Sequence, residues 1–424
     1  MARLGSRYNR WSHWCRCHVQ DLEFETDEFR SRSLSLKSAE QYGIRDKLPD
    51  ARYTHPDMVK GNQTSSKVPL ASPDPAVLAD AIATKLQPGL GLKSLTPLAG
   101  DASNRRYFRA TLMGGPPNSV IVMQLAEPEG FKQSEEAVSG TAHQIAELPF
   151  INIRSHLARV KVPVPTLYYY DQWAGLLYLE DFGDVTLADA VSCADQAQLE
   201  SRYRQAIDVL VQMQVDATKA DDRTCLAFHR GFDAPLLMWE FDHFLEYGVE
   251  VRNGSPLADV DAEAVRRVFK NIADQLASQP RIFTHRDYHS RNLMVDGTRL
   301  GVIDFQDALM GPASYDLASL VRDAYIQLDE VLVDELVEYY QDQMTDRGVS
   351  RIDRTAFRRL FDLTSIQRNL KAAGRFVYID RVKGNPKFLA DIPRVLSYVK
   401  RNLQKYPELE PLKRHLAPYV PELQ

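Results

Sequence analysis

The chain has 424 residues, of which 44% are hydrophobic, and its formal net charge is −5. This apolar content is enough for a large core or two lobes, whereas the acidic balance offers no basic surface for nucleic acid. No apolar run approaches membrane-spanning length, so no membrane partner is expected. The four cysteines are too sparse for a disulfide framework and suit a reducing cytoplasm, where we expect the protein to act.

Residues 1–70 differ in composition from the rest of the chain. They are polar, show little periodicity and contain no apolar segment followed by a small-residue cleavage site. We interpret them as a disordered extension, or as residues that precede the true start of translation, for which Met58 is an alternative. The fragment Cys15-Arg16-Cys17-His18 lacks the second ligand pair of a zinc site. No active-site residue is expected in this segment.

The sequence of residues 71–182 predicts a small antiparallel sheet with helices. A helix with apolar positions Val77, Leu78, Ile82 and Leu86 comes first. The following patterns predict a strand–turn–strand over Leu95–Arg109, a strand over Val120–Leu125, helices over Glu135–Ile145 and Asn152–Val160, and strands over Tyr168–Tyr170 and Leu176–Leu179.

Residues 183–424 predict a mainly helical second part. Helical periodicity is found over 198–215, 236–247, 261–277, 315–325, 332–344, 354–373 and 386–404. The fold class is therefore α+β, with two lobes and a cleft between them.

A polar loop within the helical part carries the clearest chemical signal. His285-Arg286-Asp287 is followed by Asn292, then by a predicted hairpin with a turn at Asp296-Gly297, then by Asp304. Phosphoryl transfer from a nucleotide needs a carboxylate for the acceptor's proton and oxygen ligands that hold magnesium on the phosphates. Asp287 fits the first role, and Asn292 and Asp304 fit the second. Turn or helix-capping roles would explain one of these residues but not all three.

Other polar residues near this loop allow two interpretations each. Arg286 and Arg291 either steady phosphate charge or pair with acidic residues. His285 is expected to fix the loop through hydrogen bonds, and His289 either touches the acceptor or lies on the surface. Asp316 is expected to brace the loop.

The chain resembles the aminoglycoside phosphotransferase group of kinase-like enzymes, which includes choline and fructosamine kinases. The resemblance runs from about residue 73 to the C-terminus, and its motifs are specific to the group as a whole. Within the group, the likeness is greatest to the bacterial branch that phosphorylates the anomeric hydroxyl of N-acetylmuramate and N-acetylglucosamine. The segments that carry it are Gly100–Arg109, Leu179–Gly183, His285–Asn292, Ile303–Ala308 and Gln367–Lys371. It implies a bilobal protein-kinase-like fold, ATP as co-substrate and Mg2+.

The resemblance also implies a nucleotide site between the lobes. The turn formed by Gly100, Asp101, Ala102, Ser103 and Asn104 would cover the phosphates with backbone N–H groups, although it is also an ordinary hairpin turn. Glu180 and Phe182 would offer backbone groups to adenine.

Kinase-like folds usually carry a phosphate-binding lysine on the third strand, and this chain has none in Val120–Gln124. Met123 or Gln124 stands near the expected place. Arg106 is the candidate replacement and Lys132 is a weaker one. The alternative for any single arginine of this segment is a position on a solvated face of the strand.

Candidate acceptor-binding residues are Glu240, His289, Arg368 and Lys371. Glu240 lies on a helix with Trp239 and Phe241, which either meet a sugar or belong to the core. Arg368 and Lys371 share a helix face by their spacing, and that face is either in the cleft or solvated.

The expected activity is ATP-dependent phosphorylation of the anomeric hydroxyl of N-acetylmuramate or N-acetylglucosamine, in cell-wall sugar recycling. Another small-molecule kinase of this fold, or a non-catalytic nucleotide-binding scaffold, remains an alternative. Gln306 and the short segment after it lack the activation loop of protein kinases, which argues against a peptide acceptor. Nothing in the sequence indicates an oligomeric state.

Overall fold

The computed structural model describes residues 71–98, 105–125, 147–349 and 353–424. The predicted first helix is α1, Pro75–Ala81, which runs on into a π-helical turn, Ile82–Leu86. Asp74 caps it by accepting a hydrogen bond from the Ala76 N–H at 2.8 Å, and Pro75 occupies the first turn. The segments expected as an N-terminal extension, as the turn Gly100–Asn104, as the helix Glu135–Ile145 and at Lys132 lie outside the described residues.

A five-stranded antiparallel sheet follows α1, in the spatial order β1-β2-β3-β5-β4. Its strands are β1 (Gly91–Pro97), β2 (Arg106–Met113), β3 (Ser119–Gln124), β4 (Leu167–Asp171) and β5 (Leu176–Glu180), with α2 (Pro149–Arg159) between β3 and β4. One face packs Phe108, Val120 and Tyr178 against α1. Because side chains alternate across a strand, Tyr107 and Ile121 project from the opposite face, toward the rest of the chain.

The remainder is mainly helical, as the sequence predicted. Its α-helices are α3 (Leu187–Val191), α4 (Gln196–Gln212), α5 (Ala234–His243), α6 (Asp259–Ala277), α7 (Ser314–Val321), α8 (Glu330–Asp346), α9 (Arg354–Lys383), α10 (Ile392–Lys405) and α11 (Glu410–Leu416). None of the helices in the described ranges has both the length and the apolar character needed to cross a bilayer.

Two short strand pairs frame the polar loop. β6 (Arg281–Thr284) pairs with β9 (Leu309–Pro312), and neither was predicted. The predicted hairpin is present as β7 (Leu293–Asp296) and β8 (Arg299–Val302). Its two-residue turn is Gly297-Thr298, one position beyond the predicted Asp296-Gly297, and Gly297 has a positive φ of 58° that a tight turn favours.

Some helix predictions differ in length from the structure. The helix predicted over 315–325 ends at Val321, and the one over 386–404 divides into a 3-10 turn, Pro386–Asp391, and α10. The helix predicted to end at Ala373 continues through Gly374 to Lys383. A Cβ at Gly374 would lie 2.8 Å from the Phe244 Cα, so this glycine allows close helix packing rather than ending the helix.

Candidate active site

A cavity of about 770 Å³ lies between the five-stranded sheet and the helical part. One wall comes from the sheet and from the connector after β5. The opposite wall comes from the polar loop, the Asp304 segment, α5 and α9. Of the sequence-predicted site residues, the cavity is lined by Glu180, Phe182, Glu240, Asp287, His289, Asn292, Asp304, Arg368 and Lys371.

The polar loop is held from below by Asp316 of α7. Its Oδ2 accepts the His285 N–H at 2.7 Å and its Oδ1 accepts the Arg286 N–H at 2.9 Å. Arg286 has a φ of 79°, a conformation that a non-glycine residue adopts only when its surroundings fix it. The bracing expected of Asp316 is therefore seen as two hydrogen bonds to consecutive amides.

His285 joins the polar loop to the segment that carries Asp304. Its Nε2 lies 2.9 Å from the Ile303 carbonyl oxygen, and its Nδ1 accepts the Asp287 N–H at 3.3 Å. This pattern requires the tautomer with the proton on Nε2. Both ring nitrogens are used inside the protein, which is a structural role.

Asn292 and Asp304 present oxygen atoms to the cavity beside Asp287. Asn292 Nδ2 donates to the Asp287 carbonyl oxygen at 2.9 Å, which leaves Oδ1 as the amide atom for a cation. Asp304 has a φ of 64°, in the left-handed region that aspartate tolerates. Its Oδ1 accepts from Gln306 Nε2 at 2.8 Å, so Gln306 fixes the carboxylate.

This donor set fits magnesium that arrives with a nucleotide. In the described ranges, no group of three or more His, Cys, Asp or Glu side chains is arranged to hold a metal. Mg2+ prefers hard oxygen ligands and is commonly bound by one or two carboxylates together with substrate phosphates. One amide oxygen and one carboxylate, from Asn292 and Asp304, match that mode.

The Asp287 carboxylate lies among cations that favour its ionised form. Its side chain is 47% exposed, and Arg368 Nη2 lies 3.9 Å from its Oδ1. Burial favours the neutral acid, but the positive charges of Lys371, Arg368 and Arg286 outweigh it and hold the pKa of Asp287 well below its usual range.

Glu240 lies at the centre of a buried polar cluster under the acceptor side of the cavity. Its Oε1 is 3.1 Å from Arg286 Nη2 and 2.6 Å from Lys371 Nζ, and its Oε2 accepts from Gln367 Nε2 at 2.7 Å. Burial alone would lower the pKa of Lys371, but Glu240 raises it above the ordinary value. Because Glu240 is completely buried and both its oxygens are engaged, we assign it to positioning two cations rather than to contacting an acceptor.

His289 lies beside Asn292 and against Tyr325. Its Nε2 is 3.4 Å from Asn292 Nδ2, and its ring meets the Tyr325 ring edge-on at 5.2 Å. Burial lowers the pKa of His289, so the ring is neutral at pH 7. His289 lines the cavity, and its contact with the acceptor stays a prediction.

The connector after β5 uses its side chains for the fold. Glu180 pairs with Arg299 at 2.7 Å and accepts from the Thr166 hydroxyl at 2.8 Å. The Phe182 ring packs so closely on Gly301 that a Cβ there would lie 2.5 Å from it. The side chains of Glu180 and Phe182 are thus used within the protein, and adenine binding by their backbone groups stays a prediction.

Arg106, the sequence-based candidate for the phosphate cation, lies on the wrong face of the sheet. Its Nη2 donates to Ser72 Oγ at 3.3 Å, and its guanidinium lies over the Phe108 ring at 5.0 Å. Because strand residues alternate, its neighbour Arg105 lines the cavity together with Tyr107.

Asp316→Asn is expected to change how stability depends on pH. Burial raises the pKa of Asp316 to about 6, against the opposing effects of His285 and the two amides it accepts from. Since the folded-state pKa lies above the ordinary 3.8, the protonated acid stabilises the fold fully below about pH 4, and this contribution is lost as the pH rises through about 6. The free energy of unfolding of the wild type should fall by about 3 kcal/mol relative to the variant over that interval. Urea unfolding of the wild type and the variant at several pH values measures this difference. Unfolding free energies that change with pH in parallel in the two proteins would contradict the prediction.

The sheet, the polar loop and the paired oxygen donors define a kinase-like phosphotransferase. Residues 94–352 match the profile of the phosphotransferase enzyme family (APH), and the chain belongs to that family. The fold is the α+β protein-kinase-like fold: the gentamicin–APH(2″)-IIa complex superposes with a TM-score of 0.50, covering 77% of this chain and 97% of that chain at 12% identity. ATP-dependent phosphoryl transfer is accordingly the activity of the chain.

Two bacterial relatives are similar over most of their length. One, an N-acetylmuramate/N-acetylglucosamine kinase of Pseudomonas putida, is 32% identical over 328 residues, which are 76% of this chain and 88% of that protein. The other, of the same name from Neisseria meningitidis, is 33% identical over 331 residues, 77% of this chain and 90% of that protein.

Proposed function

We propose that the protein transfers the γ-phosphoryl group of ATP to the anomeric hydroxyl of N-acetylmuramate or N-acetylglucosamine, forming the sugar 1-phosphate. The names of the two relatives support the acceptor. Cell-wall sugar recycling is the process such a product serves, and a cytoplasmic location, where ATP is available, belongs to the same proposal.

The charge of the acceptor wall is the observation in the structure that best supports this choice. α5, α9 and the 3-10 turn Pro386–Asp391 contribute four cations and one carboxylate to the cavity lining: Arg368, Lys371, Arg375, Lys387 and Glu240. The single carboxylate is already engaged by Lys371 and Arg286. A wall with this excess of positive charge suits the carboxylate of N-acetylmuramate and disfavours polycationic aminoglycosides and choline.

An aromatic side chain on the same wall suits a pyranose ring. Trp239 lines the cavity and is only partly buried, whereas Phe241 and Phe244 are fully buried in the core. His243 stacks behind Trp239 with a ring separation of 6.0 Å and an interplanar angle of 12°. The indole thus has a supported position from which its apolar face can meet the C–H groups of a sugar.

In this proposal Asp287 receives the acceptor hydroxyl. Its carboxylate orients the oxygen and takes its proton as the new O–P bond forms and the bond to the departing ADP breaks. Because surrounding cations hold the Asp287 pKa low, proton transfer comes late, which fits a loose transition state in which the nucleophile needs little early activation. Magnesium bound at Asn292 and Asp304 would neutralise the charge of the phosphates.

ADP release with magnesium-ATP across an acceptor panel tests the proposal. We expect turnover with N-acetylmuramate and N-acetylglucosamine and none with kanamycin or choline. The methyl glycoside of N-acetylglucosamine, whose anomeric oxygen is blocked, is the matched control and should be inert. Turnover with kanamycin or choline alone would show that the protein is a small-molecule kinase with a different acceptor. Nucleotide binding with no turnover on any acceptor would favour a non-catalytic scaffold.

A further inference from the structure

The β3 strand places no cation on the cavity face of the sheet. Ile121 lines the cavity, whereas Gln124 faces away and its Nε2 donates to the Ala71 carbonyl oxygen at 3.0 Å. A kinase-like site nevertheless needs positive charge on the α- and β-phosphates of the nucleotide. The charge must therefore come from another element.

Arg105 lies where β2 enters the sheet, on the cavity face. β2 pairs with β3 through Arg106 with Gln124 and Tyr107 with Met123, so Arg105 stands one position beyond the end of β3. Burial opposes its charge, but Tyr107, which hydrogen-bonds to it, and the carboxylates of Asp304 and Asp307 raise the pKa of Arg105. Arg105 and Tyr107 line the same cavity as Asp304, the carboxylate predicted to bind magnesium.

The other arginines of β2 are committed elsewhere. Arg109 lies 2.7 Å from Asp181 and 2.7 Å from Asp184, so two carboxylates neutralise it. Arg106 lies on the opposite face, against Ser72 and Phe108.

We propose that Arg105 supplies the positive charge that binds the α- and β-phosphates of ATP, in place of the strand lysine. A guanidinium presents paired N–H donors that match phosphate oxygens, and it keeps its charge when partly buried. Tyr107 positions it. The inference concerns the nucleotide end of the cavity and does not depend on which sugar is the acceptor.

Calorimetric binding of ADP and of adenosine to Arg105→Met tests the proposal without any acceptor. We expect ADP affinity to fall by about tenfold to a hundredfold and adenosine affinity to stay unchanged, because adenosine carries no phosphate. The ADP affinity of Arg105→Lys, which retains the positive charge but not the paired N–H donors, should lie between the affinities of the wild type and Arg105→Met. This variant also guards against misfolding of Arg105→Met. Lys93→Met, which removes an exposed cation from β1, is the matched control. An equal loss for adenosine, or a loss with Arg106→Met instead, overturns the proposal.

A double-mutant cycle with Asp304→Asn separates direct phosphate contact from charge balance at Asp304. If Arg105 contacts phosphate, Arg105→Met still weakens ADP binding in the Asp304→Asn background, with ADP binding measured in EDTA. If Arg105 only offsets the Asp304 carboxylate, the loss disappears in that background, and the assignment is wrong. A wild-type protein that binds no nucleotide would instead refute ATP as the donor.

Discussion

Asp287→Asn is expected to lower kcat by about a thousandfold while changing the KM for ATP by less than about threefold. The amide keeps the shape of the carboxylate but accepts no proton, and its NH2 group would face the acceptor hydroxyl. The ATP phosphates are expected to contact other residues, so nucleotide binding should persist. Coupled ADP release with N-acetylglucosamine as acceptor measures both constants.

A matched control is Asp274→Asn, which neutralises an exposed carboxylate paired with Lys270 on α6. It should leave kcat unchanged. If Asp287→Asn kept more than about a tenth of the wild-type kcat, the assignment of Asp287 would be wrong.

Glu240→Gln is expected to cost about 3 kcal/mol of unfolding free energy. The change keeps the side-chain shape but removes the charge that compensates Arg286 and Lys371, and the Glu240 site is completely buried. Removing one partner of a buried ion cluster leaves uncompensated charge, which costs more than the loss of a hydrogen bond. kcat should fall as well, because Arg286 adjoins Asp287 in the polar loop. Urea unfolding at pH 7 measures the loss of stability.

The double variant Glu240→Gln/Lys371→Met tests the cause of that loss. Removing one of the two cations should restore part of the stability, so the double variant should be less destabilised than the two single changes added together. Glu335→Gln on α8 is the exposed control. A loss below about 1 kcal/mol for Glu240→Gln would show that the cluster is not held by charge.

The polar loop could be predicted because its chemistry is local in sequence. Asp287 and Asn292 are five residues apart, and a short hairpin returns the chain to Asp304. Several of the hydrogen bonds that fix the geometry span only two to eighteen positions, as in Asn292 Nδ2 to the Asp287 carbonyl and His285 Nε2 to Ile303. Asp316 adds two from 31 and 30 positions away. The residue types and their spacing therefore carried most of this information.

The choice between Arg105 and Arg106 shows a limit set by strand phase. The segment Arg105–Arg109 has an arginine and an aromatic residue on both faces, so its own pattern does not indicate which face is buried. The alternation of Phe108, Ala110 and Leu112 continues into β2 and marks the face that packs on α1. If the alternation of apolar residues is followed as far as Leu112, it predicts Arg106 on that face and Arg105 in the cavity.

The role of Glu240 could not be read from the sequence, because its partners are remote. Arg286 is 46 positions away along the chain and Gln367 is 127 positions away. An acidic residue on an amphipathic helix is ordinarily exposed, and only tertiary packing brings α5, α9 and the polar loop together around it. The same packing places Lys371 and Arg368 on the cavity wall, whereas the sequence had left a solvated helix face open as an alternative.

The position of the transferred phosphate tests the proposed function most directly, by 31P–1H correlation NMR of the product formed from magnesium-ATP and N-acetylglucosamine. We expect the phosphorus to couple to the anomeric proton, and the Asp287→Asn variant to form no such product in the same time. A phosphate on any other hydroxyl, or ADP formation without a phosphorylated sugar, would contradict it.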